Sequence, residues 1–350
     1  MTLPGGQPGP TTAARGDGVA QRPAFLITID TEGDNLWSRP RDITTRNAAF
    51  LPRFQQLCER YGLRPTWLTN WEMAQCPVFT EFARDVLRRD TAEIGMHLHA
   101  WNQPPLAPLS EDDGARLSYL IEYPEPVLRE KVRVLTDALE QRFGLKMRSH
   151  RAGRWAFNEL YARVLVENGY DTDCSVTPHV SWAGHPGATR GGSDYRGFPE
   201  SAYFVDLNDI RRPGNSPLLE LPMTILPRRR PALLRPAERL LERTSLGRRV
   251  IHRLLGADRW LRPNGRNRRE LLAVLDTARR ERRDYVEFML HSSEYMPGGS
   301  PVFPDEASIE RLYSDLEMLF AAAAPQFAGQ TLSEYHDRFA RERSSGALVA

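Results

Sequence analysis

Cysteine is scarce in this sequence, which contains only three such residues, Cys58, Cys76 and Cys174. An odd number of scattered cysteines builds no disulfide framework, and none of them forms a Cys-x-x-Cys pair that could hold a metal. Long apolar runs are also missing, since no segment approaches the ~20 consecutive apolar residues that a membrane-spanning helix requires. These absences argue against a disulfide-stapled secreted domain and favour a cytoplasmic protein.

A secretory signal is equally lacking at the start of the chain. Residues 1–22 are rich in Gly, Pro, Thr and Ala but have no continuous apolar core, which predicts a disordered leader. The chain of 350 residues is 41% hydrophobic, enough for a full core. We therefore expect one large domain over residues 23–340, with an insertion near 180–275 and a disordered tail over 341–350.

Strand-like and helix-like segments alternate through this domain, so that helical stripes of apolar residues separate short apolar strands. The predicted strands lie at residues 25–30, 64–68, 93–99, 147–151, 173–176, 218–221 and 285–290. Repeated strand–helix units favour an α/β fold with a parallel sheet or barrel. Polar residues follow the predicted strand ends, which is where such a barrel places its active site.

Two histidines in one of these strands indicate a metal site. His97 and His99 point to the same side of the sheet because side chains alternate faces with period two. Asp30 and Glu32 share a parity at the end of another predicted strand and supply carboxylates. Three protein ligands with an open position are typical of a catalytic divalent ion, favouring zinc, with cobalt, nickel, iron and manganese as alternatives.

Two further residues at strand ends complete a set that could catalyse hydrolysis. A carboxylate beside the metal can act as a base, and Arg151 is placed to hold the pKa of that carboxylate low. His291 follows an apolar strand and can act as a general acid. Glu294, three residues later, is a candidate to orient His291.

The motifs that contain these residues resemble those of a known family. Thr28-x-Asp30, Glu93-Ile-Gly-x-His97, Arg151-Ala-Gly, Asp173-Cys-Ser-Val and Leu290-His291 occur in this order. The series is similar to the polysaccharide deacetylases, the NodB-homology domain of carbohydrate esterase family 4. More narrowly, it resembles a divergent branch associated with bacterial surface-polysaccharide loci. The resemblance spans about residues 25–327.

The resemblance implies a fold and an activity. We expect a distorted (β/α)7 barrel of the NodB type that carries a helical basic insertion. The implied activity is removal of acetyl groups, N-acetyl being favoured over O-acetyl, from a bacterial polysaccharide or a lipid-linked glycan precursor by metal-activated water. Asp30 matches the general base, Arg151 the arginine that tunes it, His291 the general acid and His97 the first metal histidine.

Two positions depart from the family pattern. Thr31 stands where the family has its metal carboxylate, so Glu32 or Asp34 must substitute, and the shared parity with Asp30 favours Glu32. Trp101 stands where the second histidine is expected, so His99 must take that role. These departures leave two alternatives open: hydrolysis of another small amide, and a catalytically silent barrel that binds glycan or lipid.

Residues next to the motifs are candidates to contact an acetylated glycan. Aromatic rings stack on sugars, and charged groups bond to their hydroxyls. We assign this substrate-binding role to five residues near the predicted metal site: Trp101, Arg154, Trp155, Asp173 and Glu294. Trp182 is a further aromatic candidate.

The positive charge of the chain is concentrated in one segment. Residues 228–269 contain fourteen arginines against Glu238, Glu242 and Asp258, although the net charge of the chain is only +2. Leucines at helical spacing lie between these arginines, which is typical of a basic amphipathic helix that contacts an anionic membrane surface. The alternative is a helix packed on the barrel. No nucleic-acid motif accompanies the arginines, so we expect no nucleic-acid partner.

Overall fold

The computed structural model of the chain describes residues 22–227 and 258–346. Its strands are β1 (Ala24–Thr31), β2 (Pro65–Thr69), β3 (Glu93–Leu98), β4 (Ser149–Ala152), β5 (Thr172–Asp173), β6 (Tyr203–Asp206), β7 (Asp209–Pro213), β8 (Leu219–Glu220), β9 (Ile225–Leu226), β10 (Arg259–Trp260), β11 (Tyr285–His291) and β12 (Ala328–Gln330). Its α-helices are α1 (Leu51–Arg60), α2 (Trp71–Ala74), α3 (Pro77–Arg88), α4 (Asp113–Arg116), α5 (Glu125–Phe143), α6 (Glu159–Glu167), α7 (Arg268–Arg280), α8 (Glu306–Ala323) and α9 (Leu332–Ser344).

Seven parallel strands form the centre of the molecule, in the order β11-β1-β2-β3-β4-β5-β8. The β6–β7 hairpin extends this sheet, with β6 antiparallel to β8. β12 adds to the start of β1, beside β2. The curled, mostly parallel sheet with its surrounding helices confirms the predicted distorted (β/α)7 barrel.

The central strand β1 shows why the sequence folds this way. All eight of its residues are buried, because neighbouring strands cover both edges and packed side chains cover both faces. Rings from β11 and α8 pack on its phenylalanine: Phe25 lies 5.9 Å from Phe320 and 6.5 Å from Phe288 between ring centroids. The apolar core therefore holds the base of β1 in place, and the polar residues come at its carboxyl end.

The ends of several helices follow local sequence signals. α5 ends at Gly144, whose φ of 69° lies in the left-handed region that glycine adopts readily. α9 begins with a capping box in which Thr331 and Glu334 bond to each other's backbone N–H groups. This last helix runs to Ser344. The predicted disordered tail over 341–350 is therefore wrong for residues 341–344, which are helical.

The antiparallel β9–β10 pair joins Leu226 to Arg259. Residues 1–21, 228–257 and 347–350 lie outside the described residues. They include nearly all of the leader predicted over 1–22, most of the basic segment and the end of the tail predicted over 341–350. The membrane contact predicted for the basic segment stays a prediction. None of the described helices is both long enough and apolar enough to cross a lipid bilayer.

Close approach of β3 and β4 depends on Gly95. A Cβ atom added there would lie 2.6 Å from the Ser149 carbonyl oxygen and 2.8 Å from Leu68 Cδ2, both inside van der Waals contact. We expect Gly95→Ala to lower the free energy of unfolding by ~1–3 kcal/mol, as overpacking typically does. Chemical denaturation measures this change.

Gly114→Ala is the matched control, because the nearest atom to its added Cβ is 3.4 Å away. This variant should keep the stability of the unmodified protein. Equal stabilities for the two alanine variants would contradict the tight β3–β4 packing.

Candidate metal centre

Strand register brings the predicted residues to one end of the barrel. Asp30 on β1 pairs with His291 on β11, and His97 on β3 pairs with Arg151 on β4. The strands β11, β1, β2, β3 and β4 are consecutive neighbours in the sheet. Side chains from four separate parts of the sequence therefore meet at the carboxyl edge of the sheet.

Glu32, His97 and His99 form a compact cluster of possible metal ligands. Glu32 Oε2 lies 3.5 Å from His97 Nε2 and 3.3 Å from His99 Nε2. The two Nε2 atoms are 2.8 Å apart. Donor atoms bound at ~2.0–2.2 Å to one tetrahedral ion lie about 3.3 Å from each other, so these separations fit a shared small cation.

Hydrogen bonding around the two histidines also fits a cation. The Nδ1 atom of His97 donates to the Arg151 carbonyl oxygen at 3.0 Å, which leaves the Nε2 lone pair facing Glu32 and His99. Burial lowers the pKa of both histidines, so both rings are neutral near pH 7. Two neutral imidazole nitrogens this close need a proton or a cation between them.

The environment of the Glu32 carboxyl group favours a cation beside it. This carboxylate is buried, and its Oε2 atom has no hydrogen-bond partner among the described residues. Burial, reinforced by nearby Asp30 and Glu72, raises the pKa of Glu32 to about 8. Without a cation this carboxyl is therefore mostly protonated near pH 7, because a buried anion among other anions is costly unless a cation compensates it. A divalent ion would take the place of that proton and stabilise the ionised carboxylate, so the donor set fits a divalent ion.

Asp34, the alternative carboxylate ligand, is engaged elsewhere. Its two oxygens accept hydrogen bonds from Thr44 Oγ1, from the backbone N–H groups of Arg46 and Asn47, and from the side chains of those two residues. These bonds hold the loop after β1 in place. The structure places Glu32, and not Asp34, beside the histidines.

Asp30 lies next to this cluster and is held by a buried arginine. Its Oδ1 atom accepts a 2.6 Å hydrogen bond from Arg151 Nη1, and its Oδ2 atom lies 3.8 Å from both His97 Nε2 and His291 Nε2. Burial acts to raise the pKa of Asp30, but Arg151 and His97 outweigh it and hold the pKa well below its usual range. Asp30 therefore stays ionised.

Arg151 is fully buried and makes a second ion pair, with Glu287 on β11. Thr28 Oγ1 accepts from Arg151 Nη2 at 2.6 Å, and the Cys174 carbonyl oxygen accepts from Nε at 3.2 Å. Nearby anions raise the pKa of Arg151 despite its burial. The guanidinium is thus fixed in position and in charge.

His291 is oriented from behind by Glu294. One Glu294 oxygen accepts from the His291 backbone N–H at 2.9 Å and lies 3.1 Å from Nδ1. Arg262 Nη2 donates to both Glu294 oxygens, at 3.1 and 3.2 Å. Burial acts to raise the pKa of Glu294, but Arg262 and His291 lower it to about 2. This arrangement points His291 Nε2 towards Asp30.

A cleft of about 280 Å³ opens above these groups. Asp30, Glu32, His97, His99 and His291 line its floor. Aromatic and arginine side chains form its walls, namely Trp37, Trp101, Tyr119, Arg154, Trp155, Trp182 and Arg262. Three of the five predicted substrate-binding residues, Trp101, Arg154 and Trp155, are therefore on the cleft.

The other two predicted substrate contacts do not line the cleft, which corrects the sequence analysis. Asp173 is fully buried, and its carboxylate lies 2.5 Å from His150 Nδ1 and accepts from Ser175. Glu294 is also fully buried, behind His291. Asp173 begins a predicted strand and Glu294 follows one, but their side chains bond within the protein instead of facing the cleft.

Gly153 allows the end of β4 to approach His99. A Cβ atom at this position would lie 2.4 Å from the Leu98 carbonyl oxygen and 2.5 Å from His99 Cδ2. Any larger residue would displace His99 or the backbone before it. The Arg151-Ala-Gly motif therefore contributes to the site in two ways: the Arg151 guanidinium binds Asp30, and Gly153 leaves room for His99.

Sequence reasoning assigned no role to several residues of the site, among them Trp37, Tyr119, Arg262 and Glu287. Glu287 had a usable signal, because it is an acidic residue inside an apolar strand and shares the parity of His291. Trp37 lies edge-on to His291, with ring centroids 4.8 Å apart, on a loop that carries no motif. Arg262 was hidden among the many arginines of the basic segment.

No family model matches the sequence, and no curated protein matches it in sequence. Solved structures do match. A Mycobacterium smegmatis protein, provisionally assigned as a polysaccharide deacetylase, is matched over 91% of this chain and 92% of its own, with a TM-score of 0.51 and 14% sequence identity.

Two further matches have lower TM-scores. A family 4 carbohydrate esterase from Streptomyces lividans, in complex with acetate, is matched over 44% of this chain and 63% of its own, with a TM-score of 0.31 and 14% identity. A family 4 pseudoenzyme from Bacillus anthracis is matched over 91% of this chain and 66% of its own, with a TM-score of 0.39 and 10% identity.

The match to the Mycobacterium smegmatis protein extends over almost the full length of both chains. It agrees with the sheet order and with the motifs at the strand ends. The described part of this chain has the distorted (β/α) barrel fold of the polysaccharide deacetylases.

Proposed function

We propose that this protein is a metal-dependent deacetylase that acts on the acetylated amino sugars of a bacterial glycan. The observation that carries the proposal is the placement of Asp30. Its free oxygen lies 3.8 Å from His97, in the candidate ligand cluster, and 3.8 Å from His291, the candidate acid. A base, an acid and an ion site thus converge on one cleft.

Glu32, His97 and His99 would hold the ion. A divalent ion supplies Lewis acidity, which polarises a carbonyl group and makes water acidic enough to serve as a nucleophile near neutral pH. Zinc fits two imidazoles and a carboxylate, as do cobalt, nickel, iron and manganese. The buried and partly unpaired carboxylate of Glu32 supports a resident cation at this position.

Asp30 is the general base of the proposed reaction. Arg151 engages its Oδ1 atom and keeps the carboxylate ionised, while Oδ2 faces the cleft floor and can accept the proton of the attacking water. The low pKa makes Asp30 a weak base, but it guarantees that the proton acceptor is present at every working pH. Arg151 thus makes Asp30 a weaker base but keeps it in the ionised form that can accept a proton.

His291 is the general acid. Attack of water on an acetamide carbonyl leaves an amine nitrogen that must gain a proton before the C–N bond breaks. His291 Nε2 faces the cleft and can deliver that proton, while Glu294 and Arg262, each 3.1 Å from Nδ1, orient the ring. Trp37 lies edge-on to the ring of His291, with ring centroids 4.8 Å apart.

Aromatic walls support a sugar as the substrate. Trp101 lies against His99, with ring centroids 4.4 Å apart, and Trp155 covers Arg151 at 4.9 Å from its ring centroid. Both rings border the cleft, where a pyranose ring can stack on them. Their position beside the ligand cluster would place the acetamide group of that sugar over Asp30.

Acetate release tests the proposed function. Purified protein, loaded with one divalent ion per chain, should release acetate from N-acetylglucosamine oligomers, and a chelator should abolish the release. Asp30→Asn should lower kcat by ~10²–10⁴-fold, as expected for loss of a general base. Asp276→Asn, an exposed control on α7, should keep full activity.

Two outcomes would contradict the proposal. Bound metal without acetate release from any acetylated sugar would point to hydrolysis of another small amide. A protein that takes up no metal even after reconstitution would be a silent binding barrel.

The carboxylate ligand can be identified by a matched pair of variants. Glu32→Gln keeps the size of the side chain but removes its charge, so metal affinity should fall by more than the ~10–100-fold typical of an outer partner. Asp34→Asn should weaken the loop of residues 44–47 and lower Tm while leaving metal affinity within about threefold, since a mutation outside the ligand set acts only indirectly. Isothermal titration with Zn²⁺ measures both. The reverse pattern would assign the metal to Asp34.

A further inference from the structure

Arg154 differs from the other arginines at the cleft in what it binds. Arg151 and Arg262 are each neutralised by buried carboxylates, Asp30 and Glu294 respectively. Arg154 instead donates to two backbone carbonyl oxygens, those of Leu117 and Pro186, the latter at 3.1 Å. Its guanidinium also lies 4.0 Å from the ring centroid of Tyr119.

The positive charge of Arg154 is therefore not balanced by an ion pair within the described residues. Burial lowers the pKa of Arg154, and the nearby Arg39 lowers it further. Tyr119 and Glu122 act to raise this pKa. The Glu122 oxygens, however, accept from the backbone N–H groups of residues 119, 188, 189 and 190. A partly buried cation in this state favours an incoming anion.

The backbone around Arg154 is held in an uncommon conformation. Arg154 has a φ of 55° and Trp155 a φ of 60°, so two consecutive residues other than glycine occupy the left-handed region. Such conformations persist where the surrounding structure enforces them, and they concentrate at functional sites. Here the turn places Arg154 and Trp155 on the wall of the cleft, directly after Arg151 enters the core.

A second cleft, of about 520 Å³, continues from this wall. It shares Leu36, Trp101 and Leu117 with the first cleft and is also lined by Arg39 and Arg41. Arg39 donates to the Ala115 carbonyl oxygen at 2.8 Å, two residues from the carbonyl that binds Arg154. Asp112, the acidic residue of this cleft, caps α4 through the backbone N–H of Ala115. Positive charge thus extends outward from the catalytic floor.

We propose that Arg154, assisted by Arg39, binds an anionic group that the substrate carries beside its acetylated sugar. The group is an oxyanion, either the carboxylate of an acidic sugar or a phosphate ester, since both accept hydrogen bonds from a guanidinium in the same way. This inference rests on the proposed function for the identity of the sugar. It makes Arg154 the residue that selects charged over neutral glycans.

Equilibrium binding to the full-length, metal-loaded protein tests the inference without requiring turnover. The ligands are N,N′-diacetylchitobiose as the neutral probe, a glucuronate-containing N-acetylglucosamine disaccharide as the carboxylate probe, and N-acetylglucosamine 1-phosphate as the phosphate probe. The wild-type protein should bind at least one anionic probe ~10-fold or more tightly than the neutral one, because ionised hydrogen-bond partners are the stronger ones. Which anionic probe is preferred identifies the source of the charge.

Variants separate the effect of the positive charge of Arg154 from the effect of its hydrogen bonds to the backbone. Arg154→Gln should weaken binding of the anionic probe more than binding of the neutral probe and so remove the preference, and Arg154→Lys should retain part of the preference. Arg190→Gln, an exposed arginine on the same rim that does not line the cleft, should bind all three probes as the wild type does.

The two proposals can fail separately. Wild-type protein that binds no anionic probe more tightly than the neutral one, or an equal loss of all probes in Arg154→Gln, overturns the anion inference. Acetate release from neutral sugars would leave the proposed function intact in that case. Selective anion binding through Arg154 without acetate release overturns the proposed function and leaves the inference standing.

Discussion

The buried guanidinium of Arg151 is the interaction on which the candidate site depends. Its side chain bonds to Asp30 on β1 and to Glu287 on β11, and its carbonyl oxygen fixes the ring of His97 on β3. One residue of β4 thereby links three other strands of the barrel. Because a buried arginine is destabilising unless it is paired, the contacts that hold the candidate site together also stabilise the fold.

Charge balance explains how the remaining groups are arranged. Arg151 offsets Asp30 and Glu287, and Arg262 offsets Glu294, but Glu32 has no such partner among the described residues. A divalent cation at Glu32 would complete the balance on the cleft floor. On the cleft wall the imbalance has the opposite sign, because the positive charge of Arg154 has no carboxylate partner among the described residues. The cleft is thus prepared for a cation at one place and an anion at another.

Much of this arrangement can be predicted from the sequence because parallel strands end at one edge. The parity of Asp30 with Glu32, and of His97 with His99, survives in the structure because each pair belongs to one strand or its direct continuation. The same reasoning fails for Asp173. A strand end fixes where the backbone lies but not which side chain turns inward, and Asp173 bonds to His150 within the core.

Long-range partners are the part that sequence could not supply. Arg262, which bonds to Glu294, belongs to the arginine-rich segment 228–269. Nothing in the composition of that segment distinguishes Arg262 from the other arginines. Trp37 contacts His291 across more than 250 residues. The choice between Glu32 and Asp34 likewise needed the loop of residues 44–47, whose N–H groups engage Asp34. Each of these depends on how loops fold over the barrel, which hydrophobic periodicity does not encode.

X-ray absorption spectroscopy of the zinc-loaded protein tests the central claim most directly. The account predicts one ion per chain, surrounded by two imidazole nitrogens and carboxylate or water oxygens at ~2.0–2.2 Å, without sulfur. A His97→Ala/His99→Ala double variant should lose this signal. A spectrum with fewer than two imidazoles, or one that the double variant leaves unchanged, would contradict the assignment of Glu32, His97 and His99 as the metal centre.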